Sequence, residues 1–282
     1  MKTAILSDIH GNLAAMQSVL ADIESIGVDR IVCLGDVVGY GPEPLACLDR
    51  VMQFDACILG NHDSSSLFDC EGFNSAAEGA IFWTRRQIEM PPDGPEHGRR
   101  RMEFLCNLPR FLWMGSDGEL SDAQDDSDDG TADPDDTTDP AIEMATRRFL
   151  LVHGSPRGPT NEYVFPEDVQ NVKKLDRLFD LVESVSFQGH THVPGIFVDD
   201  RRFLRPEELT QGYSIVPGQK LMVNVGSVGQ PRDGNPDSCY VVLDEHTIQY
   251  RRVSYDIEST VAKILAEPDL DDLLGYRLRE GR

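Results

Sequence analysis

The sequence of 282 residues is short of positive charge, with 26 Lys and Arg against 49 Asp and Glu and a formal net charge of −23. Part of this excess is local, because residues 117–143 contain twelve Asp or Glu and no Lys or Arg. An acidic surface repels the phosphate backbone of DNA and RNA at long range. The composition therefore argues against a module that binds nucleic acid.

The sequence also lacks long apolar runs and paired cysteines. It has no run of 18 apolar residues and no basic segment followed by an apolar core of the kind that directs secretion. Its six cysteines show no Cys-x-x-Cys spacing, and Cys33 and Cys57 lie inside apolar runs, as small buried side chains do in a reducing compartment. We therefore expect a soluble, cytoplasmic protein with no membrane partner. The sequence leaves the oligomeric state open, a homo-oligomer included.

What the chain does have is a regular alternation of apolar runs and helical patterns in its first 63 residues. Apolar runs at 4–6, 30–34 and 55–59 predict three short buried strands, and the spacing over 12–26 and 42–52 predicts two helices. This alternation predicts a parallel sheet with helices outside it. Such sheets bind ligands at the carboxyl ends of their strands, so the loops that follow these three strands are expected to meet at one edge.

Two segments interrupt the pattern before it starts again. Residues 64–113 are predicted to be mostly helical, and residues 115–140 to be a disordered acidic insertion, because like charges and few apolar side chains prevent burial. Afterwards, the pattern predicts a strand over 148–152, a helix over 168–182 and a strand over 185–187. Residues 195–253 predict antiparallel hairpins, with one or two helices after them. The whole chain, residues 1–282, is therefore predicted to form a single α/β domain of two mixed sheets packed face to face.

Polar residues with metal-binding side chains lie at or near the ends of the predicted strands. Asp8 and His10, two residues apart at a strand end, are expected to share a side because side chains alternate along a strand. Five of the seven histidines belong to the set, whereas His97 and His246 fall in Pro/Gly-rich or turn segments and are not expected to be functional. The full set is Asp8, His10, Asp36, Asn61, His62, His153, His190 and His192.

Carboxylate, imidazole and amide donors in this number suit two adjacent divalent ions. One carboxylate then has to bridge, since like charges about 3.5–4 Å apart need an anion between them. A mixed N/O set without thiolate favours a transition metal, manganese first, with iron, nickel, cobalt or zinc as alternatives. Two such ions activate a shared water and clamp a phosphoryl group. One histidine then has to stay off the metals, to stabilise the developing charge or to protonate the leaving oxygen.

The ordered motifs resemble those of the calcineurin-like metallophosphoesterase superfamily, from residue 3 to about residue 253 except for the acidic insertion. The stretches 35–42 and 226–234 look like its small prokaryotic phosphodiesterase branch. The fold that the resemblance implies is the four-layer α-β-β-α sandwich, the metallo-dependent phosphatase fold. The motifs are Asp8-x-His10, Gly35-Asp36, Gly60-Asn61-His62-Asp63, His153 and Gly189-His190-x-His192.

The resemblance also implies a role for each site residue. It places one metal on Asp8, His10, Asp36 and His192, and the other on Asp36, Asn61, His153 and His190, with Asp36 as the bridge. His62 would be the unligated catalytic histidine, and Asp63 would orient it. Arg157, Arg232 and Tyr40 are candidate substrate contacts, since guanidinium matches phosphate oxygens. The alternatives are surface ion pairs for the two arginines and simple packing for the tyrosine.

The expected function is that of a binuclear metal-dependent phosphoesterase, in the first place a phosphodiesterase that cleaves the P–O bond of a small phosphoester with a metal-bridged hydroxide. A phosphomonoesterase and a protein serine/threonine phosphatase are the alternatives within catalysis. A further alternative is a non-catalytic scaffold of the same fold, like the retromer subunit of the superfamily. A scaffold tends to lose the catalytic histidine, whereas His62 is present here.

Overall fold

The structure, a computed structural model, describes residues 1–70, 72–122 and 146–282. Within these ranges the chain forms two β-sheets with helices on their outer faces. The strands are β1 (Lys2–Leu6), β2 (Arg30–Cys33), β3 (Ala56–Cys57), β4 (Phe111–Gly115), β5 (Leu120–Ser121), β6 (Arg148–Val152), β7 (Val185–Gln188), β8 (Gly195–Val198), β9 (Arg202–Leu204), β10 (Tyr213–Ser214), β11 (Leu221–Asn224), β12 (Ser238–Asp244) and β13 (Thr247–Val253).

The helices lie mostly between the parallel strands and at the C-terminal end. Three short 3-10 helices, Pro166–Gln170, Pro206–Glu208 and Arg277–Glu280, accompany them. The α-helices are α1 (Leu13–Ile26), α2 (Pro44–Val51), α3 (Asn61–Leu67), α4 (Ser75–Glu89), α5 (Pro95–Cys106), α6 (Val172–Phe179), α7 (Ile257–Ala266) and α8 (Asp272–Tyr276). No helix in the described ranges combines the length and the apolar character that crossing a bilayer requires.

Both sheets mix parallel and antiparallel pairs. The first has the order β10-β13-β12-β1-β2-β3, in which β1, β2 and β3 run parallel and β12 pairs antiparallel with β1. The second has the order β5-β4-β6-β7-β11-β8-β9, with β6, β7 and β11 parallel at its centre. The parallel strands of each sheet end at the same edge, which is where ligands bind in such folds.

The two sheets pack against each other through alternate residues of their strands. Ile5 of β1 lies between the sheets with Phe187 of β7, whereas its neighbours Ala4 and Leu6 face the helical layer that contains Met16 of α1. On the opposite outer face, α6 packs on the second sheet. Period-two alternation thus gives each strand two apolar faces, as expected of sheets that are covered on both sides. The predicted four-layer α-β-β-α architecture is confirmed.

Three boundaries differ from the prediction. The apolar run Phe111–Gly115 is strand β4 and not the end of a helical segment, because a short apolar run fits a buried strand as well as a helix. The predicted insertion starts too early, since residues 115–121 complete a hairpin in which Trp113 and Met114 of β4 pair with Ser121 and Leu120 of β5; residues 123–140 lie outside the described ranges. The helix predicted over 168–182 begins at Val172, where the side chain of Asn171 accepts a hydrogen bond from Lys174 N and caps it.

Candidate metal centre

The structure brings all eight residues of the predicted set together at the carboxyl edge of the two sheets. They lie in the loops after β1, β2, β6 and β7 and in the first turn of α3, which follows β3. All eight are buried, with Asn61 the most exposed at 6%. Buried carboxylates and imidazoles are costly unless they are paired or bind a cation, so this grouping indicates a site and not a set of separate surface histidines.

The loops that carry these side chains have an unusual backbone. Asp8 (φ 55°) and His10 (φ 49°) follow β1 in the left-handed region, which is unfavourable for residues other than glycine. Hydrogen bonds from Asp8 N to Gly35 O (3.0 Å) and from His10 N to Asp36 O (2.9 Å) hold this loop against the next one. Such strain concentrates at functional sites. Six of the eight non-glycine residues with positive φ in the described ranges belong here: Asp8, His10, Asp36, Tyr40, His190 and His192.

One candidate ligand group consists of Asp8, His10 and His192. One donor atom from each lies within 4.8 Å of the others. His192 Nε2 is 3.2 Å from Asp8 Oδ1 and 3.2 Å from His10 Nε2. Asp8 Oδ1 is buried and accepts no hydrogen bond from the described residues. Since a buried carboxylate oxygen without a donor is costly, the geometry suits a cation at this position.

The second candidate group consists of Asp36, His153 and His190, with Asn61 beside them. His153 Nε2 lies 3.3 Å from Asp36 Oδ2, 3.1 Å from His190 Nδ1 and 3.0 Å from Asn61 Oδ1. Asp36 Oδ2 is also 3.7 Å from His10 Nε2 in the first group. A single carboxylate oxygen therefore faces both groups, which is the geometry that a bridging ligand requires.

The four candidate histidine ligands are oriented by backbone carbonyls. A carbonyl oxygen only accepts hydrogen bonds, so the ring nitrogen that faces it carries the proton and the other nitrogen is left to face the centre. This is the arrangement found around metal-binding histidines. The donors are His10 Nδ1 to Val38 O (3.1 Å), His153 Nδ1 to Leu34 O (2.8 Å), His192 Nδ1 to Gln230 O (2.6 Å) and His190 Nε2 to Asn161 O (3.3 Å).

Burial and neighbouring charge set the protonation of the ligand residues. Burial lowers the pKa of His10 and His192, and burial beside His153 lowers the pKa of His190 to about 3, so these rings are neutral at pH 7. Burial opposes a charge on His153, but the carboxylate of Asp36 outweighs it and raises the pKa of His153 to about 10. Without a metal ion the charge of Asp36 therefore favours a proton on His153, and a metal ion bound there would displace it.

His62 lies beside the two groups, in the first turn of α3. Its ring centroid is 4.4 Å from that of Tyr40, 4.9 Å from Phe73 and 4.8 Å from His10. Its Nδ1 is buried and has no hydrogen-bond partner among the described residues. Burial lowers the pKa of His62 to about 4. The imidazole is therefore packed in place by aromatic rings, with a nitrogen free of protein partners.

Asp63 does not orient His62 in the way that the resemblance implies. Its carboxylate accepts hydrogen bonds from the backbone N–H groups of Val37 (2.9 Å), Val38 (3.2 Å) and Gly60 (3.2 Å). Burial, together with the charge of Asp36, raises the pKa of Asp63 to about 7. Asp63 therefore positions the loop that carries Asp36, because its position in the first turn of α3 points the carboxylate at backbone and not at an imidazole.

Replacing Gly39 by alanine is expected to disturb His62 without removing a polar group. Gly39 has φ +90°, and a Cβ there would lie 2.4 Å from His62 Nδ1. Because displacing a reacting group by about 1 Å can cost about 10²-fold, we expect a fall of about that size in kcat. The strained φ should also lower the free energy of unfolding by about 1–3 kcal/mol.

The matched control is Gly79→Ala in α4, where a Cβ would meet nothing within 4 Å and φ is not positive. That variant should keep kcat, and helix propensity should leave its stability equal or slightly higher. Steady-state kinetics and thermal unfolding of both variants test the prediction. Equal kcat for the two variants would show that the position of His62 does not matter.

The three candidate substrate contacts lie in different settings. The Arg157 guanidinium is half-exposed and pairs with the carboxylate of Glu162, which favours the surface ion pair over a substrate contact. Tyr40 is buried and touches both His10 and His62. Arg232 Nη2 donates to the Tyr40 hydroxyl (3.3 Å), and the backbone N–H of Arg232 donates to His192 O (3.1 Å). Tyr40 and Arg232 therefore border the centre, whereas Arg157 is engaged in its ion pair with Glu162.

Two further polar residues support the site, and the sequence analysis assigned a role to neither of them. Asn224, at the end of β11, donates from Nδ2 to Gly189 O (2.7 Å) and to Thr191 Oγ1 (2.8 Å), and so fixes the loop of His190 and His192. Ser227 Oγ donates to the backbone carbonyl of Asp8 (2.8 Å). A signal for Asn224 was available in the sequence, because it is the polar residue that ends a buried apolar strand.

The chain matches a family model described as the calcineurin-like phosphoesterase superfamily domain over residues 1–247. An uncharacterized protein of Methanocaldococcus jannaschii is 31% identical over 285 residues, which cover 99% of this chain and 98% of that protein. A crystal structure of a metallophosphoesterase from Sphaerobacter thermophilus is 28% identical, with a TM-score of 0.73 and full coverage of both chains. A hypothetical protein from Pyrococcus horikoshii shares the fold at 15% identity, with a TM-score of 0.66 over 100% of this chain and 98% of its own.

Proposed function

This chain belongs to the calcineurin-like phosphoesterase superfamily, and from that premise we propose that it is a binuclear metal-dependent phosphodiesterase acting on a small phosphoester. The observation that carries the proposal is the position of Asp36. Its Oδ2 faces His10 of one group at 3.7 Å and His153 of the other at 3.3 Å. Two divalent ions bound there, manganese in the first place, would activate a shared water and neutralise phosphoryl charge.

The residues of this chain then supply binding and a proton. Asp8, His10, Asp36 and His192 would hold one ion, and Asn61, His153 and His190 would share Asp36 to hold the other. His62 borders the centre without a carbonyl partner for Nδ1, so it is the residue that would protonate the leaving oxygen. Asp63 would act only by holding the 36–38 loop.

A cleft beside the second group supports a substrate larger than inorganic phosphate. It has a volume of about 570 Å³, and its lining includes Asn61 and His190 as well as the aromatic residues Phe73 and Tyr163. The Tyr163 ring stacks on His190 at a centroid distance of 3.8 Å. An ester group on the phosphate could lie against these rings, because aromatic faces bind flat or apolar groups well.

The cellular setting is part of the same proposal. All six cysteines are free, and four of them are buried. Unpaired cysteines in this number support a reducing, cytoplasmic location. The acidic charge supports a small-molecule substrate over nucleic acid.

The test is hydrolysis of bis-p-nitrophenyl phosphate against p-nitrophenyl phosphate by metal-stripped protein with and without added Mn²⁺. We expect Mn²⁺-dependent turnover with the diester preferred. A strong preference for the monoester would show that the protein is a phosphomonoesterase and not a phosphodiesterase. If the protein binds two ions but hydrolyses neither compound, the non-catalytic scaffold would be favoured. The buried His62 at the centre supports catalysis instead.

A further inference from the structure

Two arginines from distant parts of the chain meet at Tyr40, on the border of the metal centre. Arg232 lies after β11, and Arg277 begins the C-terminal 3-10 helix. Their guanidinium carbons are 5.7 Å and 4.4 Å from the centroid of the Tyr40 ring. The same ring is 4.4 Å from that of His62. Both cations therefore lie one side chain away from the residue expected to protonate the leaving group.

Neither arginine has a carboxylate partner among the described residues. Arg232 Nη2 donates to two neutral oxygens, the Tyr40 hydroxyl (3.3 Å) and Gln230 Oε1 (3.2 Å). Arg277 Nε and Nη2 are buried and have no hydrogen-bond partner in the ranges that the structure describes. Asp271 is close enough to act on Arg277 through its charge, but its Oδ1 accepts the N–H of Leu273 at 2.9 Å. Guanidinium groups buried in this way are costly unless an acceptor reaches them.

This situation is unusual for the molecule. The chain carries an excess of acid, and many of its arginines pair with carboxylates, among them Arg101, Arg251 and Arg279. Burial, together with the charge of Arg232, lowers the pKa of Arg277 to about 10. Two neighbouring cations that form no ion pair with a carboxylate of the described residues, beside a candidate phosphoester site, are an arrangement that an anion would stabilise.

We propose that Arg277 and Arg232 form a second anion subsite beside the metal centre, which binds a further phosphate group of the substrate. The inference rests on the proposed function and narrows it to substrates with two or more phosphates. Both residues are partly exposed. Since Nε and Nη2 of Arg277 are themselves buried, binding of an anion to them requires the side chain to turn outward. Guanidinium is the group of choice, because its planar fork matches phosphate oxygens. Arg277 lies beyond residues 1–247 that the family model matches, so the subsite draws on the C-terminal segment.

The test is inhibition of bis-p-nitrophenyl phosphate hydrolysis by inorganic tripolyphosphate and by inorganic phosphate, at a constant concentration of free Mn²⁺. The variant is Arg277→Gln, and its matched control is Arg279→Gln, two residues away and exposed in a pair with Glu258. Tripolyphosphate should inhibit the unaltered protein more strongly than phosphate does. The inhibition constant of phosphate divided by that of tripolyphosphate should fall about tenfold in Arg277→Gln, which is the loss expected for a charged hydrogen bond. In the control this ratio should stay constant. An unchanged ratio in Arg277→Gln would overturn the subsite.

A second pair of measurements separates the subsite from the proposed function and from folding. If the unaltered protein does not hydrolyse the diester, the proposed function fails. Calorimetric titration of tripolyphosphate into metal-stripped protein then tests the subsite alone, and equal affinity of both variants would overturn it. If Arg277→Gln unfolds, Arg277→Lys keeps the cation but loses the planar fork. Arg277→Lys should weaken the binding of tripolyphosphate several-fold relative to that of phosphate. An unchanged relative affinity would again contradict the inference.

Discussion

Replacing Asp36 by asparagine should lower kcat/KM for the diester by about 10³-fold or more, because the site loses the charge that lets one oxygen serve two ions. Asp36 Oδ1 accepts a hydrogen bond from the backbone N–H of His62 at 2.8 Å, and the side-chain oxygen of asparagine can accept the same bond. The loop that carries the residue should therefore stay folded. Steady-state kinetics at saturating Mn²⁺, together with the metal content of the purified variant, measure the effect.

The control for this variant is Asp200→Asn, which also removes one carboxylate from the chain. Asp200 is exposed and pairs with its neighbour Arg202 in the turn between β8 and β9. It should keep both activity and metal content. A loss of less than about tenfold in Asp36→Asn, with two ions still bound, would show that Asp36 is not the bridge.

Replacing His62 by asparagine should give a different signature, a fall in kcat of about 10²–10⁴-fold with the metal content unchanged. His62 Nδ1 has no protein partner among the described residues, so its removal leaves no orphaned donor or acceptor at that atom. The reason for the loss is that a positioned acid for the leaving oxygen is gone. Kinetics and metal analysis of the same preparation separate this result from that of Asp36→Asn.

His97→Asn is the control for His62, since His97 is exposed and its Nδ1 contacts the Asp93 carbonyl within its own segment. It should leave kcat unchanged. A substrate with a good leaving group, such as p-nitrophenolate, needs less protonation, so the loss in His62→Asn should be larger for an alkyl diester. A loss equal for both leaving groups would mean that His62 acts on binding and not on the leaving oxygen.

The sequence could predict that these residues meet at one edge, because they lie in the loops that follow buried parallel strands. His153 comes straight after the apolar run of β6, and its place at the sheet edge follows from parallel topology alone. The reason given for Asp8 and His10 was wrong in detail. They do not share a side by strand alternation, because β1 ends at Leu6 and both residues adopt positive φ in the loop. Hydrogen bonds to the Asp36 loop set their direction, and no local pattern shows those.

What the sequence could not predict depends on contacts between distant segments. Arg277 and Tyr40 are more than 200 positions apart, and nothing in the pattern around either one indicates that they touch. The role of Asp63 in orienting His62 was predicted from its place next to His62 in the motif. In the structure, the first turn of α3 directs the Asp63 carboxylate to the backbone N–H of Val37. Positions fixed by one element can be derived from periodicity, whereas positions fixed by packing between elements need the fold.

The most direct test of the account is equilibrium titration of Mn²⁺ into metal-stripped protein, with diester hydrolysis followed in the same samples. The account predicts two ions per chain and activity that rises as they bind, because Asp36 faces two ligand groups at once. Binding of no more than one ion, or full activity without added metal, would contradict it.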